Sequence, residues 1–497
     1  MKITMDREHL VYSPPVNTQT SKWGVYAIPK MWRDAGGELV VRCNGEADSG
    51  ICEQCVPNLY FVSQDDGETW KRIDDGESRY DIKYLTGINP PFVKRKNGEL
   101  IGVRYKEGLA PIVNVPFQKE FRVPCGASIV RVYRYGDLPK ECLGLELLRK
   151  TGEMQTVEEI TLDFPEREIM VNAKGSAAGD GTFIDIPEYV QSNIFSSPYF
   201  TGITELADGT LAAVAHGQTP SVSDRPCEDA YLVVSEDGGK TWRKRSLIAS
   251  APEMPFGCCG DGGEMSLTQT TNGNLLCAMR TDMSIEGYPC ETLLCRSSDN
   301  GYTWTKPEIV ADSSVTPHVV ALADGIVLLI YGRPGVHFKI SEDNGVSWSS
   351  SYPIIGKTLS EELAAGKSYM AAKYFDTSSY SNTFVEKLSD NSVLVLYNNL
   401  KYDDGDGLCH KAAFVRKITA EREAVLSANA KDKRTGRRIF VKSDDVYKRC
   451  VNSANRFLTF SLSYYIIDCN IAYEASIAIC QIFSFRQVLL AFGKGMA

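Results

Sequence analysis

The chain has 497 residues, 43% of them hydrophobic and 24% charged, and a net charge of −9. That is ordinary globular composition; it excludes wholesale disorder, a collagen-like chain and a disulfide miniprotein. No basic tract offsets the acidic balance, so nucleic acid is not an expected partner.

The first residues, Met1 to His9, carry charges at Lys2, Asp6, Arg7 and Glu8 and no apolar run, so no secretory signal is read there. Without export, the 15 cysteines are expected to be reduced thiols of a cytoplasmic protein. Cys52-x-x-Cys55 is the only CxxC, and no second pair stands at finger-like spacing. It reads as a loop carrying two thiols, with no metal expected.

One octapeptide recurs along the chain, at Ser63–Trp70, Ser235–Trp242, Ser297–Trp304 and Ser341–Trp348, with the common pattern S-x-D-x-G-x-[TS]-W. The pattern is that of a hairpin turn. Asp bonds the N–H groups of its own turn, Gly supplies a positive φ, and Trp anchors the turn on apolar surface. A second, fainter repeat joins a turn to a short apolar strand. It starts at Gly37, Gly98, Gly209, Gly273, Gly325 and, without the glycine, at Asn391. The ordinary steps are roughly 50–66 residues, the length of one four-stranded propeller blade with its loops.

Length alone suggests about three domains of ~150 residues. The repeat replaces that expectation with one all-β domain, a six-bladed β-propeller over residues 1–419. The opening segment Leu10–Ser13 is expected to pair with the last blade and close the ring. The step from Gly98 to Gly209 is about twice the others and predicts an insertion in the second/third blade region. It is placed at about 106–194, with an edge strand at Ser128–Tyr133. Residues 420–497 are read as a C-terminal extension. In it Lys431–Arg438 is a solvated basic stretch. Phe457–Phe485 is nearly all apolar, but Asp468 and Glu474 interrupt it. A spanning helix needs ~20 residues with few or no charges, so a membrane segment is not expected.

The four octapeptides resemble the Asp-box (BNR repeat) of the sialidase, or neuraminidase, superfamily, whose fold is a six-bladed propeller. The box itself is structural. What the resemblance implies about activity rests on other residues. Sialic acid carries a carboxylate at its anomeric carbon. Its enzymes use arginines to hold that group and a neutral Tyr, activated by a Glu, as nucleophile.

Gly263 to Arg280 is similar to the family segment in which a Glu precedes a strand, a turn and a second strand ending in Arg. Glu264 then matches the Tyr-activating Glu and Arg280 one carboxylate-binding Arg. Tyr380, in Ser379-Tyr380-Ser381, matches the nucleophile. Arg333, in Tyr331-Gly-Arg-Pro-Gly335, resembles another Arg of the triad. Asp48 is the candidate acid/base on an acidic loop, with Glu46 and Glu53 as alternatives. One departure stands out. The family opens with Arg-Ile-Pro, and here Ala27 precedes Ile28-Pro29, with Arg33 and Arg42 nearby but not at the matching place. Losing one forked contact to a charged group costs about 1.5–3 kcal/mol.

The resemblance implies a sialidase-like exo-glycoside hydrolase acting on a glycan or small acidic sugar, with no cofactor. Two alternatives stay open. One is a non-catalytic glycan- or protein-binding propeller. The other is a glycosidase or lyase of different specificity, with His216 as a further candidate for its site.

Overall fold

The computed structural model describes residues 1–14, 29–43, 57–74, 93–105, 112–122, 129–142, 145–152, 154–166, 168–177, 182–185, 203–218, 228–250, 264–281, 291–313, 315–368, 379–408, 410–422, 430–431 and 438–439. The chain divides into two compact units, Met1–Arg422 and Glu423–Ala497. In the second, the described residues form a hairpin of Ala430–Lys431 with Arg438–Ile439. The apolar stretch 457–485 lies outside the described residues. Among the described residues no helix is long and apolar enough to cross a membrane.

The first unit is a six-bladed propeller. Blade 1 is formed by Pro29–Arg33, Leu39–Cys43, Leu59–Ser63 and Lys71–Ile73, from the axis outwards. Blade 2 has Val93–Lys94, Leu100–Tyr105, Leu145–Thr151 and Met154–Glu159. Blade 3 has Thr204–Glu205, Leu211–Gln218, Glu228–Ser235 and Thr241–Ala249, with Thr161–Asp163 added parallel at its outer edge. Blade 4 has Met265–Gln269, Leu275–Arg280, Thr292–Ser297 and Glu308–Ala311. Blade 5 has Val315–Ala321, Val327–Gly332, Val336–Ser341 and Tyr352–Ile355.

Blade 6 contains Ser379–Ser389, Ser392–Tyr402 and His410–Glu421. The N-terminus completes it. Lys2–Met5 and His9–Tyr12 both pair with His410–Glu421. The closure expected from Leu10–Ser13 is therefore made by His9–Tyr12, two strands of one blade coming from opposite ends of the unit. The two N-terminal strands cover the outer edge of His410–Glu421. A buried imidazole reinforces this seam: His410 Nδ1 lies 2.7 Å from the Pro14 carbonyl, and Nε2 lies 3.0 Å from Asp406. Both nitrogens face acceptors, and the bonds to Pro14 and Asp406 raise the His410 pKa.

The insertion differs in layout from the sequence-based expectation. The outer strands of blade 2, Leu145–Thr151 and Met154–Glu159, lie inside residues 106–194. Around them, Lys119–Arg122, Ile129–Arg134, Glu168–Ala177 and Thr182–Asp185 form a separate four-stranded sheet. The extra sequence is thus split into two pieces that pair with each other on either side of blade 2. Ile129–Arg134 is an interior strand of that sheet, not an edge. A strand rich in Val, Ile and Tyr fits that doubly paired position.

Six apolar clusters fill the six seams between neighbouring blades. That between blades 4 and 5, for example, brings Leu276, Ala278 and Leu294 against Val319, Val327 and Leu329. The Asp-boxes serve these seams. In the third box, Ser297 Oγ donates to Asp299 Oδ1 (2.7 Å) and accepts from Gly301 N (2.9 Å). Asp299 accepts from Thr303 N (2.9 Å) and Thr303 Oγ1 (2.6 Å). Two successive left-handed residues form the turn: Asn300 and Gly301, with φ of 59° and 84°. That requirement explains why Asp, Gly or Asn precedes the box glycine.

The glycine is needed for space as well. A Cβ on Gly301 would stand 2.2 Å from Leu232 of blade 3, and one on Gly345 2.4 Å from Leu276 of blade 4. Gly67 of blade 1 meets Leu394 of blade 6 in the same way, at 2.6 Å. Each box therefore seats its backbone on the preceding blade, and its Trp packs into the same seam, as Trp304 does against the cluster of blades 3 and 4.

Gly273, in an inner hairpin, has a similar φ of +88° but nothing within 4 Å of the added Cβ. Gly301→Ala is expected to cost about 2–4 kcal/mol, backbone strain plus overpacking. Gly273→Ala should cost only about 1–2 kcal/mol, the strain alone. Urea unfolding of the two variants measures the difference. A second expectation concerns acid. Hydrogen bonds from Thr303 hold Asp299 down at about 2, and Thr69 does the same for Asp65. These carboxylates bind protons less readily folded than unfolded, so their contribution is complete above the usual carboxylate range and disappears as pH falls towards about 2. Asp299→Asn should flatten the loss of thermal stability over that window, read by circular dichroism.

Candidate functional site

Blades 4 and 5 meet near the start of their inner strands in a buried polar cluster. Glu264 immediately precedes Met265–Gln269, and Arg280 ends Leu275–Arg280, so the antiparallel register puts them opposite each other. Arg280 N donates to Glu264 O at 2.9 Å. Their side chains pair as well, with Arg280 Nη1 2.6 Å from Glu264 Oε1. The other carboxylate oxygen accepts from Thr316 N of blade 5 at 2.7 Å. Glu264, Arg280 and Arg333 are 4%, 7% and 3% exposed.

Parity along the strands explains the meeting. In Leu275–Arg280, Leu276 and Ala278 face blade 5, and Arg280 continues that alternation. In Val327–Gly332, Val327, Leu329 and Tyr331 face blade 4. The next residue of that parity is Arg333, whose positive charge acts on Glu264. Thr316 presents its N–H from the left-handed region, with φ of 50°. That conformation is costly for a β-branched residue and marks a local strain at this seam. Further along, Ser266 Oγ accepts from Val319 N at 2.9 Å and ties the two inner strands together.

Burial pushes the Glu264 carboxyl up, and Arg280, the Thr316 N–H and Arg333 pull it down; the net direction is upward. A buried carboxylate among cations, with a raised proton affinity, is able to take a proton from a neighbour and return it.

Tyr380 lies on the first strand of blade 6, in register with Asn398 of the second strand. Its side chain is outside the described residues. It stands at the same end of the innermost strand as Glu264 does in blade 4. Asn398 is completely buried, and neither end of its carboxamide has a hydrogen-bond partner among the described residues. Asp48, its alternatives Glu46 and Glu53, Ala27, and Cys52 with Cys55 all lie outside the described residues, and so does the side chain of His216. Of the two arginines near the missing first one, Arg33 lies at the opposite end of its strand. It bonds Gly37 O and Asp66 there. Arg42 is buried in blade 1 opposite Lys30, also buried.

Sequence reasoning missed Thr316 and Asn398. No local pattern signals a backbone N–H donated across a seam. The one signal for Asn398 is its position, a polar residue continuing the apolar run Val393–Tyr397.

Residues 196–414, from the end of the insertion into the third strand of blade 6, match the family model described as a BNR repeat-like domain. No curated protein matches the chain. Among solved structures, one similar to it is a protein of unknown function from Dyadobacter fermentans. It has 17% identity and a TM-score of 0.50, over 84% of this chain and 99% of that one. The Hadza microbial sialidase Hz136 is 15% identical with a TM-score of 0.42, over 78% of this chain and 65% of that one. An alpha-L-arabinanase from Penicillium chrysogenum is 14% identical with a TM-score of 0.41, over 83% and 98%. At this identity the likeness to the Dyadobacter fermentans protein concerns the fold alone.

The Glu264 cluster generates a stability expectation. Glu264→Ala removes the carboxylate from a buried ion pair and should cost about 3–5 kcal/mol. Glu264→Gln keeps the shape and an acceptor for Thr316 N–H, and should cost roughly half as much. Chemical unfolding of both variants beside the wild type measures the order.

Proposed function

We propose that the chain is an exo-acting glycoside hydrolase that releases a terminal acidic sugar, sialic acid or a related 2-keto acid sugar, with retention of configuration. The observation that carries the reading is the buried Glu264, paired with Arg280, bonded by Thr316 N–H and facing the charge of Arg333. A carboxylate so placed supports proton transfer, and the two arginines support recognition of an anion.

In this mechanism Tyr380 attacks the anomeric carbon while Glu264 accepts its phenolic proton. A neutral nucleophile avoids the repulsion that a carboxylate would meet from the substrate's own carboxylate. Asp48 protonates the departing glycosidic oxygen, then deprotonates the water that cleaves the glycosyl-tyrosine bond. Arg280 and Arg333 hold the substrate carboxylate. With Ala27 in place of the first arginine, anion binding is weaker by about 1.5–3 kcal/mol, which raises KM before it lowers kcat.

Ala27 also favours a second reading, a propeller that binds glycans without cleaving them. A fluorogenic sialoside separates the two, with wild type beside Tyr380→Phe and Glu264→Gln. Turnover by the wild type, lost in both variants by a factor of at least ~100, is expected for proton-transfer and nucleophile roles. Glycan binding without turnover of any acidic glycoside supports the second reading and sinks the first.

A further inference from the structure

A cavity of about 850 Å³ lies on the propeller axis, at the opposite end from Glu264. All six inner strands or their hairpins line it. Its volume is in the range of ligand pockets. The two sides of its wall differ. Blades 4 and 5 contribute the half-buried Val320 and Ala321, with Thr268 and His318 beside them and Leu267 and Val319 buried in the seams behind. Blades 1, 2 and 6 contribute the cations Arg33, Lys94, Arg95, Lys96 and Lys387. Among the described residues three carboxylates share the lining: Glu205, Glu386 and Asp390. An excess of cations here contrasts with a chain whose net charge is −9.

Part of that charge is already engaged. Arg95 pairs with Glu99 (3.0 Å) and Glu205 (3.1 Å), and Arg33 with Asp66 (2.9 Å). Lys387 stands 3.4 Å from Asp390. Lys94 is exposed and acts on Glu386 only at long range. Glu386 lies 3.8 Å from Arg33, yet burial pushes its carboxyl up to about 7. Near pH 7 it is therefore only about half ionised and offsets the exposed Lys94 ammonium incompletely, while the Lys96 ammonium is held by Leu206 O at 2.7 Å.

We propose that this axial cavity is a second ligand site, taking a small organic anion whose apolar body lies on the blade 4 and 5 wall and whose acid group faces Lys94. The site is separate from the proposed glycosidase centre and does not rest on that reading. The strands supply an apolar seat at fixed positions. The hairpin residues supply the charge, and their long side chains adapt to the length of the guest.

The test uses the full chain and two fluorescent probes. 1-Anilinonaphthalene-8-sulfonate carries an acid group on an apolar body, and N-phenyl-1-naphthylamine has nearly the same body without it. Saturable binding of the sulfonate is expected, with the neutral probe weaker by at least ~10-fold, about the worth of one partly desolvated charge contact. Lys94→Glu should weaken the sulfonate by a similar factor of ~10, and Glu386→Gln should tighten it or leave it unchanged near pH 6 and tighten it by ~3-fold at pH 8. Ala321→Phe, which fills the apolar wall, should abolish binding. Thermal melting confirms that each variant folds. Equal binding of both probes overturns the proposal, as does an affinity indifferent to Lys94→Glu, or binding that survives Ala321→Phe in a folded protein.

Discussion

Each Asp-box glycine rests against a leucine of the preceding blade, and the ring is built from that contact. The turn needs two consecutive left-handed residues to bring its backbone into the seam. It needs the absence of a Cβ to come close enough, as the 2.2 Å approach of Gly301 to Leu232 makes plain. The Ser and Asp of the box hold the turn rigid from inside, and the Trp fills the space beside it. Among the described residues, boxes secure the seams between blades 6 and 1, 2 and 3, 3 and 4, and 4 and 5. Gly67 on Leu394 matters most for topology, because it joins the first blade to the last. There the N-terminal strands, the His410 bridge to Pro14 and the box act together where the beginning and the end of the unit meet.

The polar cluster of Glu264, Arg280, Thr316 and Arg333 occupies the seam of blades 4 and 5, above an apolar cluster packed by the fourth box. Burying a carboxylate and two guanidinium groups is costly unless they meet at good geometry. Rigid seams on either side supply that geometry. The strained φ of Thr316 belongs to the same arrangement, since the surrounding blades over-determine the backbone at that point. The axial cavity follows from the same construction. Six inner strands splay around an axis, and side chains fill only part of the space between them. Lysines and arginines of the hairpins line its rim.

Much of this was legible in the sequence because turns are local. The S-x-D-x-G-x-[TS]-W spacing encodes its own hydrogen bonds within eight residues. The Glu264 to Arg280 pairing was also legible, since one strand, one turn and one return strand fix which residues stand opposite. The insertion was legible in length and not in layout. Its two pieces pair with each other around Leu145–Glu159, and no local signal distinguishes a strand of blade 2 from a strand of the inserted sheet. Asn398 shows the same limit. As a residue within Ser392–Tyr402 it carries no local signal, and only packing makes it a buried amide without a partner among the described residues.

The sequence by itself determined the all-β class, the number of blades, the turn chemistry and the direction in which Glu264 and Arg280 face each other. All of these depend on periodicity and on contacts within a few tens of residues. The tertiary structure decided what depends on two distant segments meeting. It brought Arg333 and the Thr316 N–H to Glu264, left Arg33 at the far end from that cluster, divided the insertion, and gathered cations of blades 1, 2 and 6 around the axial cavity. Those arrangements arise from blade-to-blade packing, in which side-chain direction alternates along each strand and the seam partner comes from a different part of the chain.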